Sequence, residues 1–119
     1  MYNSRINLQS RTKKFALRII KLFDEFPSND EFRIYMNQLI RSATSVGANT
    51  RAAFRSRSKK EFISKIGIVI EEADESAYWL ELINDRINKQ KEEIIELIAE
   101  ADELVSIFIS VSKKMKAKR

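Results

Sequence analysis

Four stretches of the chain place small or apolar residues at alternating spacings of four and three. The first runs Leu8, Thr12, Phe15, Ile19, Leu22, Phe26, and the second Phe32, Met36, Leu39, Ala43, Val46, Thr50, Ala53. The third runs Phe62, Ile66, Val69, Ala73, Ser76, Leu80, Ile83, Ile87, and the last Ile94, Leu97, Ala101, Leu104, Phe108, Val111, Met115. A repeat of 3.5 residues keeps one seam of a helix facing its neighbours, whereas a strand would alternate with period two. The pattern predicts an all-α protein with helices over about 5–26, 30–55, 58–86 and 89–112, followed by a basic tail, 113–119. Short connections make sequential helices antiparallel, so an up-down-up-down four-helix bundle follows.

The punctuation agrees. Pro27-Ser28-Asn29-Asp30 separates the first two helices, Ser58-Lys59-Lys60-Glu61 fits a capping box, and Asn88 is placed to cap the fourth helix, with Lys89 to Lys91 as its first turn. The run Ser42-Ala43-Thr44-Ser45-Val46-Gly47-Ala48-Asn49 is small for a mid-helix. Gly47 falls level with Gly67 across the second turn, which predicts that these glycines mark the closest contact of helices two and three. The alternative is that both simply face solvent.

Apolar residues also spread beyond the main seams: Ile63, Ile70 and Ala77 on the third helix, and Ile98, Val105 and Ile109 on the fourth. Tyr78, Trp79 and Leu82 lie outside both stripes of the third helix, and Ile107 outside those of the fourth. A lone bundle of this size does not bury so much of a helix circumference. A homo-oligomer is therefore expected, with Tyr78, Trp79 and Leu82 at its interface; a wide intramolecular core competes for Leu82 and Ile107.

At 119 residues the chain is one domain, with no cysteine and no histidine. That excludes zinc fingers, thiol nucleophiles, Ser-His-Asp triads and imidazole-bearing di-iron sites. Gly47 and Gly67, the only glycines, stand too far apart for a phosphate loop. No apolar run is long enough for a membrane span, and the N-terminus does not read as a signal peptide, so a cytoplasmic protein is expected. No cofactor is expected either.

Asp74 and Asp102 fall level with each other within secondary apolar stripes. Two such carboxylates can share a metal or a proton. Arg18 and Arg41 reach the same height, and an Arg18–Arg41–Asp74–Asp102 polar layer that fixes register is the preferred reading, because buried charges must be paired.

Charge is strongly segregated. Residues 1–60 hold 13 Lys and Arg against 4 Asp and Glu, residues 61–112 hold 4 against 13, and the tail adds five cations. From Phe32 through Lys60 there is no acid, and Arg51, Arg55, Arg57, Lys59 and Lys60 crowd the turn between helices two and three. Arginine forks, the Ser56 and Ser58 hydroxyls and the amides of a helix N-terminus together suit phosphate oxygens. The competing reading is that Arg51 and Arg55 complement the C-terminal end of helix two while the rest are solvated.

Gln38-Leu39-x-Arg41-Ser42-x-x-Ser45-Val46-x-x-Asn49, Arg57-Ser58-Lys59-Lys60-Glu61-Phe62, Gly67-Ile68, Glu72-Ala73-Asp74-Glu75 and Tyr78-Trp79-Leu80-Glu81-Leu82 together resemble the four-helix-bundle proteins encoded in intervening sequences of bacterial 23S rRNA genes. The resemblance covers about residues 8–112 and implies a non-enzymatic bundle that assembles as a homopentameric ring. It extends to the accessory proteins of diversity-generating retroelements, which are basic, pentameric, and associate with nucleic acid and a reverse transcriptase. It carries Arg51, Arg55, Arg57, Lys59 and Lys60 over to a basic surface and Tyr78 and Trp79 to the signature on helix three. Where the family usually has Glu, this chain has Ala52, which completes the acid-free run.

The leading expectation is an oligomeric, non-catalytic protein that binds RNA or DNA without sequence specificity through its basic turn, with itself and a nucleic-acid enzyme as protein partners. The alternative is an interaction scaffold in which acidic and basic halves pair between subunits or with a protein. A third reading puts the tail Lys113–Arg119 on an anionic lipid surface.

Overall fold

A computed structural model describes residues 2–87 and 91–119, with side chains from residue 7 onward. Four helices follow one another: α1 (Tyr2–Leu22), α2 (Asp30–Phe54), α3 (Lys59–Ile87) and α4 (Glu92–Ala117). A 3₁₀ turn, Phe23–Glu25, closes α1 four residues before the heptad would have ended it. Each helix packs antiparallel on the next, in a rod 50 Å long and about 20 Å across. No strand occurs among the described residues. This is the four-helix bundle that the spacing predicts.

The seams are buried as read. Phe15, Ile19, Leu22, Met36, Leu39, Ile66, Leu80, Ile83, Ile94, Leu97, Leu104 and Phe108 are closed off from solvent, each worth about 1.5–3 kcal/mol of apolar burial. Four seam or flank hydroxyls join them, all satisfied at home. Thr12 donates to Leu8 O (2.8 Å), Thr50 to Val46 O (2.7 Å), Ser76 to Glu72 O (2.9 Å), and Ser42 Oγ lies 2.8 Å from Ser76 Oγ. Buried polar groups placed this way cost little.

Capping explains where the helices start. Asn29 Oδ1 accepts from the Phe32 amide at 2.9 Å, and Ser58 Oγ accepts from the Glu61 amide at 3.0 Å. Only this half of the Ser58–Glu61 capping box forms among the described residues. α4 begins at Glu92, with Lys91 ahead of it in extended conformation, so Lys91 is not in the first turn. Its ammonium sits 3.6 Å from Glu25 and over the ring of Phe26. The expected cap Asn88, with Lys89, lies outside the described residues.

Three expectations are corrected. The glycines do not pack α2 on α3. A Cβ on Gly47 would stand 3.6 Å from the Thr12 carbonyl oxygen of α1, while one on Gly67 would meet nothing within 4 Å. The small-residue contact between α2 and α3 is Ser42 on Ser76. The reason is rotational: Gly47 lies one residue past the seam position Val46, on the α1 flank, and Gly67 lies on the outer surface.

Second, Arg18, Arg41, Asp74 and Asp102 form no layer. Asp74 and Asp102 are exposed on the outer side of α3 and α4, and the core at their height is made by Ala73, Ala77 and Ala101. The two arginines flank the seams instead, and their long side chains reach glutamates across a groove. Arg18 meets Glu93 (2.9 Å) and Glu96 (3.2 Å) of α4, and Arg41 meets Glu72 (3.2 Å) and Glu75 of α3. One heptad from Arg18, Arg11 holds Glu100 through two 2.7 Å hydrogen bonds and touches Glu103 at 3.1 Å.

Third, the basic tail is not separate from the bundle. α4 runs on to Ala117, carried by half-buried Val111 and Met115 and buried Ser112. Lys114 and Lys116 in its last turn also suit the negative end of the helix dipole.

Candidate nucleic-acid interface

In an up-down-up-down bundle the C-termini of α2 and α4 and the N-terminus of α3 share one end. The Lys59 ammonium donates to the carbonyl oxygen of Lys118, which ties the α2–α3 turn to the end of α4. Arg55, Arg57, Lys59 and Lys60 at this turn are all exposed, as are Lys113, Lys114, Lys116 and Lys118 of α4. Arg51 stands one turn up α2, lining a groove with Gln9, Ser10 and Lys13 of α1. The acids gather elsewhere: Glu61 is the sole carboxylate within residues 51–61, and residues 104–119 hold none.

What separates Arg51, Arg55 and Arg57 from the arginines along the rod is that they meet no carboxylate among the described residues. Arg11, Arg18, Arg33, Arg41 and Arg86 each meet a carboxylate, and so does Lys91. Among the described residues, Arg51, Arg55, Arg57 and Lys60 meet none. Five guanidinium groups are therefore committed to holding helices or turns together, and three at the turn keep every donor for something outside. α3 also points the positive end of its dipole into the same surface.

The serine hydroxyls at the turn are engaged by the backbone, Ser58 as the expected cap. Ser56 turns its hydroxyl back onto the Ala53 and Ala52 carbonyls that end α2, and Ser58 caps α3. Both fix the shape of the turn. Under it, Phe54 and Phe62 pack with ring centroids 5.6 Å apart. Lys59, Lys60 and Ile63 border an open depression of about 400 Å³. The lysines of α4 are what the sequence reading missed as part of this surface; the continuing stripe of Val111 and Met115 was the signal.

At the far end and along the α2–α3 groove, charge is paired. Arg86 binds Glu31, with one bond of 3.1 Å, and Tyr35 donates to Glu31 at 2.8 Å. The Arg86 hydrogen bond, then that of Tyr35, hold the Glu31 carboxyl below its ordinary range. Burial pushes Glu75 up, but hydrogen bonds from Arg41 and Trp79 outweigh it and leave Glu75 low as well. The Trp79 indole donates to Glu75 at 3.1 Å and its ring stacks on Tyr35, 6.5 Å between centroids. Trp79 thus has an intramolecular berth, Leu82 is half-buried, and Tyr78 is the exposed member of the trio, at 55%. Among the described residues, no three His, Cys, Asp or Glu side chains gather to hold a metal ion, and no helix is long and apolar enough to cross a membrane.

The profile of the 23S rRNA-intervening sequence protein family matches residues 5–110. The chain belongs to that family. A crystal structure of a protein of unknown function from the S23 ribosomal protein family of Bacteroides thetaiotaomicron is 31% identical, with a TM-score of 0.81 over 89% of this chain and 98% of that one. No curated protein matches the chain. Membership of the 23S rRNA-intervening sequence family thus comes with a fold and no assigned activity.

Proposed function

We propose that this member of the 23S rRNA-intervening sequence family is a non-catalytic, self-associating bundle that binds RNA or other nucleic acid through the phosphates. The observation that carries this reading is the split between paired and unpaired arginines. A solvated surface charge needs no partner, yet five other arginines found one, and the turn where Arg51, Arg55 and Arg57 meet no carboxylate among the described residues also gathers the lysines of α4. Such an arrangement favours polyanions over any single small ligand, because phosphate neutralisation adds up over many contacts. Nothing in the turn reads base edges, so binding is expected to be indifferent to sequence.

Charge reversal tests this directly. R55E/R57E should abolish binding to a single-stranded RNA at low salt while leaving helicity and oligomeric mass unchanged. Unaltered RNA binding would contradict the proposal. A changed mass with no effect on RNA would favour the scaffold reading instead.

A further inference from the structure

The grooves between neighbouring helices differ in what spans them. Arg11 and Arg18 of α1 reach glutamates of α4, and Arg41 and Arg86 form pairs between α2 and α3. Among the described residues, no ion pair joins α1 to α2. Composition explains this: residues 7–22 of α1 hold five cations and no acid, and α2 has no acid from Phe32 onward. A cation on either helix finds no carboxylate on the other.

Small side chains leave this unbridged groove open. Ala16 of α1 and Gly47 and Ala48 of α2 line it, together with Lys13 and Arg51, around a volume of about 470 Å³. A Cβ on Gly47 would stand 3.8 Å from the Lys13 amide nitrogen, so the two residues are level. Antiparallel packing then sets Gln9 level with Arg51, and Ala16 level with Thr44. Seven residues at 1.5 Å each make the groove about 10 Å long. Lys13 and Arg51 are exposed and meet no carboxylate among the described residues. Gln9 and Ser10 add an amide and a hydroxyl to the same lining. At its Arg51 end the groove opens onto the basic turn, because Arg55 lies one helical turn further along α2. Cations thus run from Arg57 and Arg55 through Arg51 to Lys13, up the side of the rod.

We propose that the α1/α2 groove holds the sugar-phosphate backbone of a single strand whose next phosphates lie on the turn. The inference rests on the nucleic-acid reading above and adds to it a second part of the site and a strand preference. A length of about 10 Å takes about two or three phosphates at the 3.4 Å or more that separates them along a strand. Lys13 and Arg51 neutralise them from the two walls, and Gln9 and Ser10 donate to their oxygens. Packed helix axes lie about 8–10 Å apart, so the concave strip between them admits one flexible strand. A duplex is too wide and too stiff to enter and is left with the turn and the lysines of α4. No aromatic side chain is among the residues that line the groove, so the bases are neither stacked nor read there.

Equilibrium binding of a labelled single-stranded RNA, and of the same RNA annealed to its complement, reads this out. Thr44→Leu with Ala48→Leu fills the groove without changing its charge; both positions are exposed, and leucine suits a helix. The pair should weaken single-strand binding several-fold and leave duplex binding unchanged. Lys13→Ala should reduce the salt slope of single-strand binding by about 0.7 and leave that of the duplex as it was. Circular dichroism and light scattering check that each variant keeps the wild-type fold and mass. Wild-type single-strand binding in these variants would overturn the proposal, as would an equal loss for the two RNAs. A changed mass would also overturn it, by making the groove a contact between copies. R55E/R57E keeps the two readings apart: RNA binding lost there but intact in the groove variants leaves the turn standing and removes the groove. A wild-type chain that binds neither RNA overturns both.

Discussion

Single residues decide how the helices meet, and the two glycines separate what a heptad shows from what it hides. Gly47→Leu pushes a branched side chain against the α1 backbone and should destabilise the fold by about 1–3 kcal/mol, the usual range for overpacking. Gly67→Ala meets no atom, removes a helix-interior glycine, and should stabilise the folded chain by about 0.5–1 kcal/mol. Thermal or urea unfolding checks both, and equal effects at the two positions would contradict the packing described. The heptad orders residues along a helix by their count. It could not give their rotation, since one step along a helix turns a side chain by about 100°. The same blindness made a polar layer of Asp74 and Asp102, which stand exposed while Arg18 and Arg41 reach glutamates across the grooves. Glu93, Glu96, Glu72 and Glu75 were the true partners, and their longer side chains at flank positions were the available sign.

At the level of whole helices, the core stripe was fully legible and the ends were not. Burial of Met36, Ile66, Leu80 or Phe108 follows from period alone. The end of α4 depends on whether a weak stripe of Val111 and Met115 outlasts a run of lysines, which local pattern does not resolve. What holds helices side by side beyond the core is pairing across grooves: Arg11 and Arg18 join α1 to α4, and Arg41 and the Glu31–Arg86–Tyr35 group join α2 to α3. This gives a pH dependence with a definite sign. Glu31 and Glu75 are more acidic in the folded chain than in the unfolded one. Their contribution to stability is complete above the unfolded carboxyl value of about 4.3 and fades as pH falls through the folded value. Stability should therefore drop on acidification below about pH 4.5, and Glu31→Gln should flatten that decline while lowering stability at neutral pH. An unchanged acid limb in Glu31→Gln, followed by chemical unfolding at several pH values, would show that the α2–α3 pairing contributes nothing.

For the molecule as a whole, the sequence showed two charged halves, and folding turns them into a pattern that neither half has alone. Antiparallel packing brings the α2–α3 turn and the end of α4 together at one end, while the remaining charge is sorted onto opposite long sides. The turn cations were legible as a run without acids; that Arg51, Arg55, Arg57 and Lys60 meet no carboxylate among the described residues, and are joined by lysines more than 50 residues away, required the fold. Binding of a single-stranded RNA of arbitrary sequence, measured against salt concentration, tests this central point most directly. If about five phosphates are engaged at each site, the logarithm of affinity for a single strand should fall against the logarithm of salt with a slope near −3.5. A flat salt response, or no binding even at low salt, would contradict it.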